Sequence, residues 1–219
     1  MAQSPEKGRL NEVFATVAKG LAHANRLQLL EMLAQGERDV DSLARGCGLS
    51  VANASHHLRL LRQCGLIHSR QEGQRVLYRL STDSVVQLIF QLQRVAVLHL
   101  PELDRILAER FPSDVRVEET TPQELDESLR QGRVAMVLDL RPAEEFAAGH
   151  IPGARHAAPE DVEALPEAAG GELCVVYCRG SFCLFPALAA RELLRKGYAV
   201  KRLEGGFPSW RVAGKPVAR

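Results

Sequence analysis

The stretch LCVVYCRGSFCLFPALAARELL holds the residues best suited to chemistry: Cys178 and Cys183, with Arg179, Gly180, Ser181 and Phe182 between them. An apolar run stops at the first cysteine, turns through a glycine-containing loop and enters a helix. Such a path aims several backbone N–H groups at one point, and the dipole of the following helix adds to their field. A sulfur held there is stabilised as an anion, so the sequence predicts a lowered pKa for Cys178 and a nucleophile near neutral pH. Arg179 adds positive charge beside it, and Pro186 in the first helical turn helps fix the helix start. Cys174, inside the run, reads as core. Cys183 is a candidate resolving thiol: it can attack a persulfide on Cys178, releasing sulfide and leaving a disulfide.

A second group of residues suits a polyanion. Between Ser55 and Arg79 the chain carries Arg59, Arg62, Arg70, Arg75 and Arg79 against Glu72 alone, a basic patch in a chain of net charge +1. In DVDSLARGCGLSVANASHHLRLLRQCGLI a helix from Val40 to about Arg45 is followed by a turn at Gly46 and Gly48. Ser50 then caps a second helix that runs through Gln63 and ends at Gly65. This is the grammar of a helix-turn-helix. Val51, Ala54, Leu58 and Leu61 are expected to pack inward, with Ala52, Asn53, His56, Arg59 and Gln63 on the opposite face. In a major groove Asn53 and His56 would reach base edges, while Ser50, Arg59 and Arg62 would hold phosphates. Val51 and Ser55, near the helix start, complete the candidate DNA contacts on this helix. IHSRQEGQRVLYRLS reads as a hairpin around Glu72-Gly73, with Arg70, Gln74 and Arg75 near its tip.

The remaining elements must carry these two sites. LNEVFATVAKGLAHANRLQLLEMLAQG reads as two helices that stop near Gly36. Asp83 to about Arg110 is helical again, with Pro101 kinking or restarting it. Val85, Val86, Leu88, Ile89, Phe90, Leu92, Val95, Val97, Leu98 and Leu100 cover more than one face, which predicts a homodimer interface. The pattern then changes to short β-branched runs separated by helices. This marks a boundary near Pro112 to Asp114 and two domains, 1–112 and 113–219. Thr121-Pro122-Gln123-Glu124 has capping-box spacing, so a helix is expected from Glu124 to Gln131. VAMVLDL, LCVVY and AVKRLEG read as strands of an α/β layer with a largely parallel sheet, behind a mainly α first domain.

With 46% apolar and 25% charged residues the composition is that of a globular protein. A polar start, MAQSPEKGR, and no run of eighteen apolar residues predict a cytoplasmic protein without a membrane partner. In that reducing setting the five cysteines are poor disulfide staples. Cys47 and Cys64 lie at opposite ends of the second helix, about 15–20 Å apart at the helical rise. They read as small buried apolar residues. No cofactor or metal site is predicted.

Two resemblances follow from these motifs. The HxxRLxLLxxL opening, the GLSxxxxSxHLxxLxxxGL segment and the EGxxxxYxL wing resemble the winged-helix ArsR family of dimeric bacterial repressors over about residues 8–110. The resemblance implies a homodimer on double-stranded operator DNA and repression relieved by an inducer. Metal-sensing members often carry a cysteine pair before the turn; ERDVDSL has none here, and Asp83 and His99 are too isolated to build the other usual site. Residues 115–219 resemble a single-domain rhodanese through VLDLRPAEEFAAGHIPGARH, VVYCRGSFC and LEGGFPSWRVAGKPV. That similarity implies a catalytic Cys178 taking sulfur from a sulfane-sulfur donor and passing it to a thiol acceptor, with Asp139 and Arg141 bracing the loop. Cys183 stands where such loops commonly end in arginine, which weakens the case for anionic donors. Three functions are therefore open: a regulator that senses or processes reactive sulfur, a working thiosulfate-type sulfurtransferase that regulates its own operon, and a dithiol sensor of arsenite or a soft metal.

Overall fold

The computed structural model describes residues 5–110 and 117–219. They fall into two compact units that divide between Ile89 and Phe90. The boundary expected at Pro112 to Asp114 lies outside the described residues.

Helix α1 (Pro5–Leu21) and helix α2 (Ala24–Leu33) open the first unit, followed by a two-residue strand β1 (Arg38–Asp39). Helix α3 (Val40–Cys47) starts where the Asp39 carboxylate accepts the Ser42 N–H at 2.8 Å. Hydrogen bonding from Ser42 holds that carboxyl below its usual pKa. Gly48, at φ 64, supplies the left-handed cap that stops α3. Gly46 does not share the turn, as the sequence suggested. It lies inside α3, where an added β-carbon would run into the Met32 side chain, so its role is close packing of α3 on α2.

Ser50 caps helix α4 (Val51–Gln63) by accepting the Asn53 N–H at 3.2 Å. The hairpin is β2 (Ile67–Glu72) and β3 (Arg75–Leu80), closed by Gly73-Gln74, and β1 adds to it in the antiparallel order β1-β3-β2. Leu29, Leu30, Leu33, Leu43, Ala54, Leu58, Leu61 and Ile67 form the buried interior. Helix α5 (Ser84–His99) contributes Val85, Val86 and Ile89 to burial, and Pro101 begins the separate helix α6 (Pro101–Arg110).

The second unit contains five parallel strands in the order β4-β8-β7-β5-β6: β4 (Glu118–Thr120), β5 (Met136–Asp139), β6 (Arg155–His156), β7 (Leu173–Tyr177) and β8 (Ala199–Leu203). Alternation along β7 sends Cys174, Val176 and then Cys178 to one face, and Val175 and Tyr177 to the other. The first face packs under helix α9 (Pro159–Ala164) and helix α10 (Phe185–Arg195) through Val162, Ala190 and Leu193. The other meets helix α7 (Pro122–Arg130) and helix α11 (Gly206–Val212) through Leu125, Phe207 and Trp210. Helix α7 starts with both capping-box bonds, Glu124 N–H to Thr121 Oγ1 at 3.2 Å and Thr121 N–H to Glu124 Oε2 at 2.8 Å. The short helix α8 (Ala143–Ala148), with β6 and α9, completes the unit. Mainly α winged helix and α/β parallel sheet are the classes the sequence predicted.

Candidate thiol loop and nucleic-acid interface

Because Cys178 continues the alternation of β7, its side chain enters the α10 face of the sheet, where the loop returns Cys183. Their sulfurs are 2.8 Å apart. That is within about 1 Å of a disulfide bond length, and both thiols are free. Cys178 is 2% exposed and Cys183 half-buried, while Cys174 is fully buried, its thiol raised to about 12 by desolvation.

The sequence places a lowered pKa on Cys178, whereas in the structure that thiol is raised and Cys183 is the one lowered. The Cys178 thiol is raised, first by its hydrogen bond with Cys183 and then by burial; its sulfur also faces the Leu140 carbonyl oxygen at 3.7 Å, which favours S–H and repels a thiolate. Cys183 is lowered to about 7, first by its hydrogen bond with Cys178 and then by the Phe185 amide and the Arg179 charge and amide. The Arg179 amide and charge favour a thiolate on either sulfur, and the Phe185 amide adds to this at Cys183, at the helix start.

Each end of the loop is fixed. The Cys178 carbonyl accepts the Phe207 N–H at 3.0 Å, and the Cys183 N–H donates to the Gly180 carbonyl at 3.3 Å. Pro186 sits buried in the first turn of α10. The Arg179 guanidinium grips Glu145 at 2.6 Å, a carboxylate only 1% exposed, so part of its positive charge is neutralised away from the thiols. The Ser181 carbonyl accepts from Arg202 of β8, and Phe182 is half-buried.

Asp139 and Arg141 form a buried two-pronged pair at 2.6 Å, and Arg141 also donates to the Gly149 carbonyl at 2.7 Å. The guanidinium carbon lies 3.8 Å from the Phe207 ring centre, while Nη1 has no hydrogen-bond partner among the described residues. His156 Nε2 donates to the Arg141 carbonyl at 2.9 Å. Between the paired residues stands Leu140, whose carbonyl faces the Cys178 sulfur at 3.7 Å. Glu145, Arg202 and Gly206 are site residues that sequence reasoning missed; the double glycine of LEGGFPSW was a visible signal for the last.

On α4 and the hairpin, Ser50, Val51, Asn53, Ser55, His56, Arg59, Arg62, Arg70, Gln74 and Arg75 are all exposed. Val51 corrects the expected inward face: it is 45% exposed, and the buried fourth residue is His57. His57 stacks near His23, ring centres 4.4 Å apart, and burial lowers its pKa. The basic residues differ in freedom. Arg59 lies 3.2 Å from the His56 ring nitrogen and Arg62 donates to the Ser69 hydroxyl at 3.2 Å, whereas Arg70 is clamped by Glu37 at 2.6 Å and Glu72 at 2.7 Å. Arg75 lies 3.6 Å from Asp39. Cys47 and Cys64 are half-buried rather than buried.

Among the described residues no group of His, Cys, Asp or Glu is arranged to hold a metal ion, and no helix is long and apolar enough to cross a membrane.

Comparison with known proteins matches both halves. Residues 23–69 fit the model of bacterial regulatory proteins of the arsR family, and residues 121–213 fit the rhodanese-like domain. The HTH-type transcriptional regulator Rv0324 of Mycobacterium tuberculosis is 39% identical over 218 residues, covering 98% of this chain and 94% of that protein. The regulator NmtR of the same organism is 33% identical over 45% of this chain and 79% of its own length. Among solved structures, the homodimeric winged helix-turn-helix DNA-binding domain of Mb0332 from Mycobacterium bovis is 41% identical. It covers 46% of this chain and 93% of its own, with a TM-score of 0.42. The chain belongs to the ArsR family of HTH-type transcriptional regulators, with a rhodanese-like domain following its winged helix.

Proposed function

We propose that this regulator is a repressor whose rhodanese-like domain senses or processes reactive sulfur through a persulfide on Cys178, and that modification there changes its affinity for operator DNA. The observation that carries this reading is the 2.8 Å approach of the two sulfurs in the loop. A thiolate of pKa about 7 beside a protonated thiol is a general base suited to neutral pH. As the Cys178 sulfur attacks the sulfane sulfur of a hydropersulfide RSSH, its proton passes to Cys183; the S–S bond breaks and the RS⁻ released takes that proton from Cys183, leaving as RSH. Cys183, ionised again, attacks the Cys178 sulfur of the persulfide, expels hydrosulfide and closes the disulfide. With Arg179 occupied by Glu145, an anionic donor such as thiosulfate finds less free positive charge at the loop.

DNA recognition is assigned to α4, with Asn53 and His56 toward base edges, and to the hairpin. The dimer is assigned to α5, where Leu88, Leu92, Val95, Val97 and Leu98 are 37–64% exposed in the single chain; a stripe of that size is expected to be covered by a second copy. On this reading the functional division remains at 112/113, since α5 and α6 serve the DNA-binding half.

Operator binding of the reduced protein and of protein treated with polysulfide tests the proposal, with mass spectrometry of Cys178 and Cys183 in parallel. A persulfide or 178–183 disulfide accompanied by a change in affinity is expected. Equal affinities with the thiols modified would remove the sensing role.

A further inference from the structure

Besides the Arg179–Glu145 pair and the Cys183 N–H to Gly180 bond, the thiol loop is attached at its start, middle and end. Its start is tied by Phe207 N–H to the Cys178 carbonyl, and its end runs into α10. The middle is tied by Arg202 alone among the bonds recorded for the Ser181 carbonyl: Nη1 donates to that oxygen at 3.2 Å. Arg202 stands on β8 in parallel register with Val176 of β7 and Glu119 of β4. Its Nε and Nη2 point the other way, onto the Glu119 carboxylate, Nε at 3.2 Å. The guanidinium is therefore a strut between the edge strand and the loop. It is only 22% exposed, and its charge is matched by Glu119, so its effect at the loop is directional rather than a free positive charge.

Ser181 is two residues from Cys183. Fixing the Ser181 carbonyl orients the peptide plane that follows and thereby limits where the Cys183 sulfur emerges. The proximity of two reacting groups enters their reactivity as an effective concentration, which falls steeply when either group is free to wander.

We propose that Arg202, held by Glu119, is a positioning residue that keeps the Cys178 and Cys183 sulfurs within bonding reach of each other. This rests on the reading of that pair as the reacting centre, but not on its being coupled to DNA. Three of the five N–H donors of Arg202 are used internally.

The test is the equilibrium of the pair with glutathione in the full-length protein. Oxidised glutathione takes two electrons and two protons from the thiols, forming the 178–183 disulfide and two molecules of reduced glutathione. Trypsin cuts after Arg179, so the two cysteine peptides remain joined only through the disulfide, and acid-quenched digests read its fraction directly. From that fraction the effective concentration of the pair is expected to fall at least about tenfold in Arg202→Ala. The Cys183 ionisation midpoint should rise from about 7 as the Cys178 hydrogen bond is lost. Arg202→Lys, which can still donate to the Ser181 carbonyl, should recover most of the effective concentration. An Arg202→Ala value within about twofold of the unaltered protein overturns the proposal, as does an equal loss in Arg202→Lys. Should Arg202→Ala fail to fold, Glu119→Ala leaves the guanidinium in place but untethered; an unchanged value there overturns the proposal too. No operator binding enters these measurements, so a failure of sulfur sensing and a failure of the strut give different results.

Discussion

The α-carbon of Gly206 lies against the carbonyl oxygen of Cys178 so closely that no β-carbon fits between them; one placed there would also stand 2.8 Å from the Gly180 amide nitrogen. The contact brings the start of α11 under the thiol loop and lets Phe207 N–H reach the Cys178 carbonyl.

Gly206→Ala should consequently damage both the fold and the loop. Residue 206 has φ +63, strained for alanine, and the new methyl displaces loop backbone rather than a flexible side chain. Denaturant unfolding is expected to show a loss of about 2–4 kcal/mol. Gly132→Ala, also at positive φ (+65) but with nothing within 4 Å of an added β-carbon, should lose less. Equal losses at the two positions would separate backbone strain from loop contact and leave the contact without weight.

Alkylation against pH reports which sulfur carries the charge. Thiolate forms as pH rises, so Cys183 should react about tenfold faster per unit below its midpoint near 7 and level off above it. Cys178→Ala removes the hydrogen bond to Cys183, moving the midpoint upward. In Cys183→Ser, Cys178 keeps its burial and the Leu140 carbonyl, so its alkylation should stay slow at neutral pH. Rapid alkylation of Cys178 in that variant would overturn the assignment of the neutral-pH charge to Cys183.

The arginines of the DNA-binding half are not equivalent. Among the described residues no carboxylate pairs with Arg59, whereas two hold Arg70. Arg59→Ala should weaken operator binding and reduce its salt slope by about one. Arg70→Ala should leave the salt slope nearly unchanged. A steeper loss for Arg70 would mean that it abandons Glu37 and Glu72 on the DNA.

His57 links the stability of the first half to pH. Burial lowers its folded-state pKa below the ordinary 6.5, followed in size by His23, Arg26 and His56. Above about 6.5 both folded and unfolded states hold it neutral. As pH falls from there to the depressed folded value, the unfolded state binds the proton first, so stability declines on acidification. Urea unfolding of the DNA-binding half between about pH 7 and 5 should show this slope, and His57→Asn should flatten it. A slope unchanged in that variant would assign the dependence to other groups.

Local grammar was enough for much of this protein. Ser50 and the Thr121–Glu124 box announce helix starts because capping is a matter of three or four adjacent residues. The turn at Gly48, the restart at Pro101 and the alternation of LCVVY are likewise readable within a few positions, and together they suffice for a winged helix followed by a parallel α/β layer. Burial on α4 was read less well: a helical wheel puts Val51 and His57 at opposite edges of the apolar face, about 120° apart, and only the packing of α2 against α4 buries the histidine and leaves the valine outside.

The distribution of charge in the loop was beyond any local reading. A strand ending at Cys178 and a helix beginning near Cys183 are written in the sequence, and so is the presence of two thiols five residues apart. Which thiol ionises depends on atoms brought from elsewhere: the Leu140 carbonyl beside Cys178, the Phe185 amide beside Cys183, Glu145 on Arg179 and Arg202 on Ser181. Electrostatic stabilisation acts over a few ångströms in space, and these partners come from four different elements. The chain alone determined that two cysteines flank one loop; tertiary packing decided that their sulfurs meet and what surrounds each.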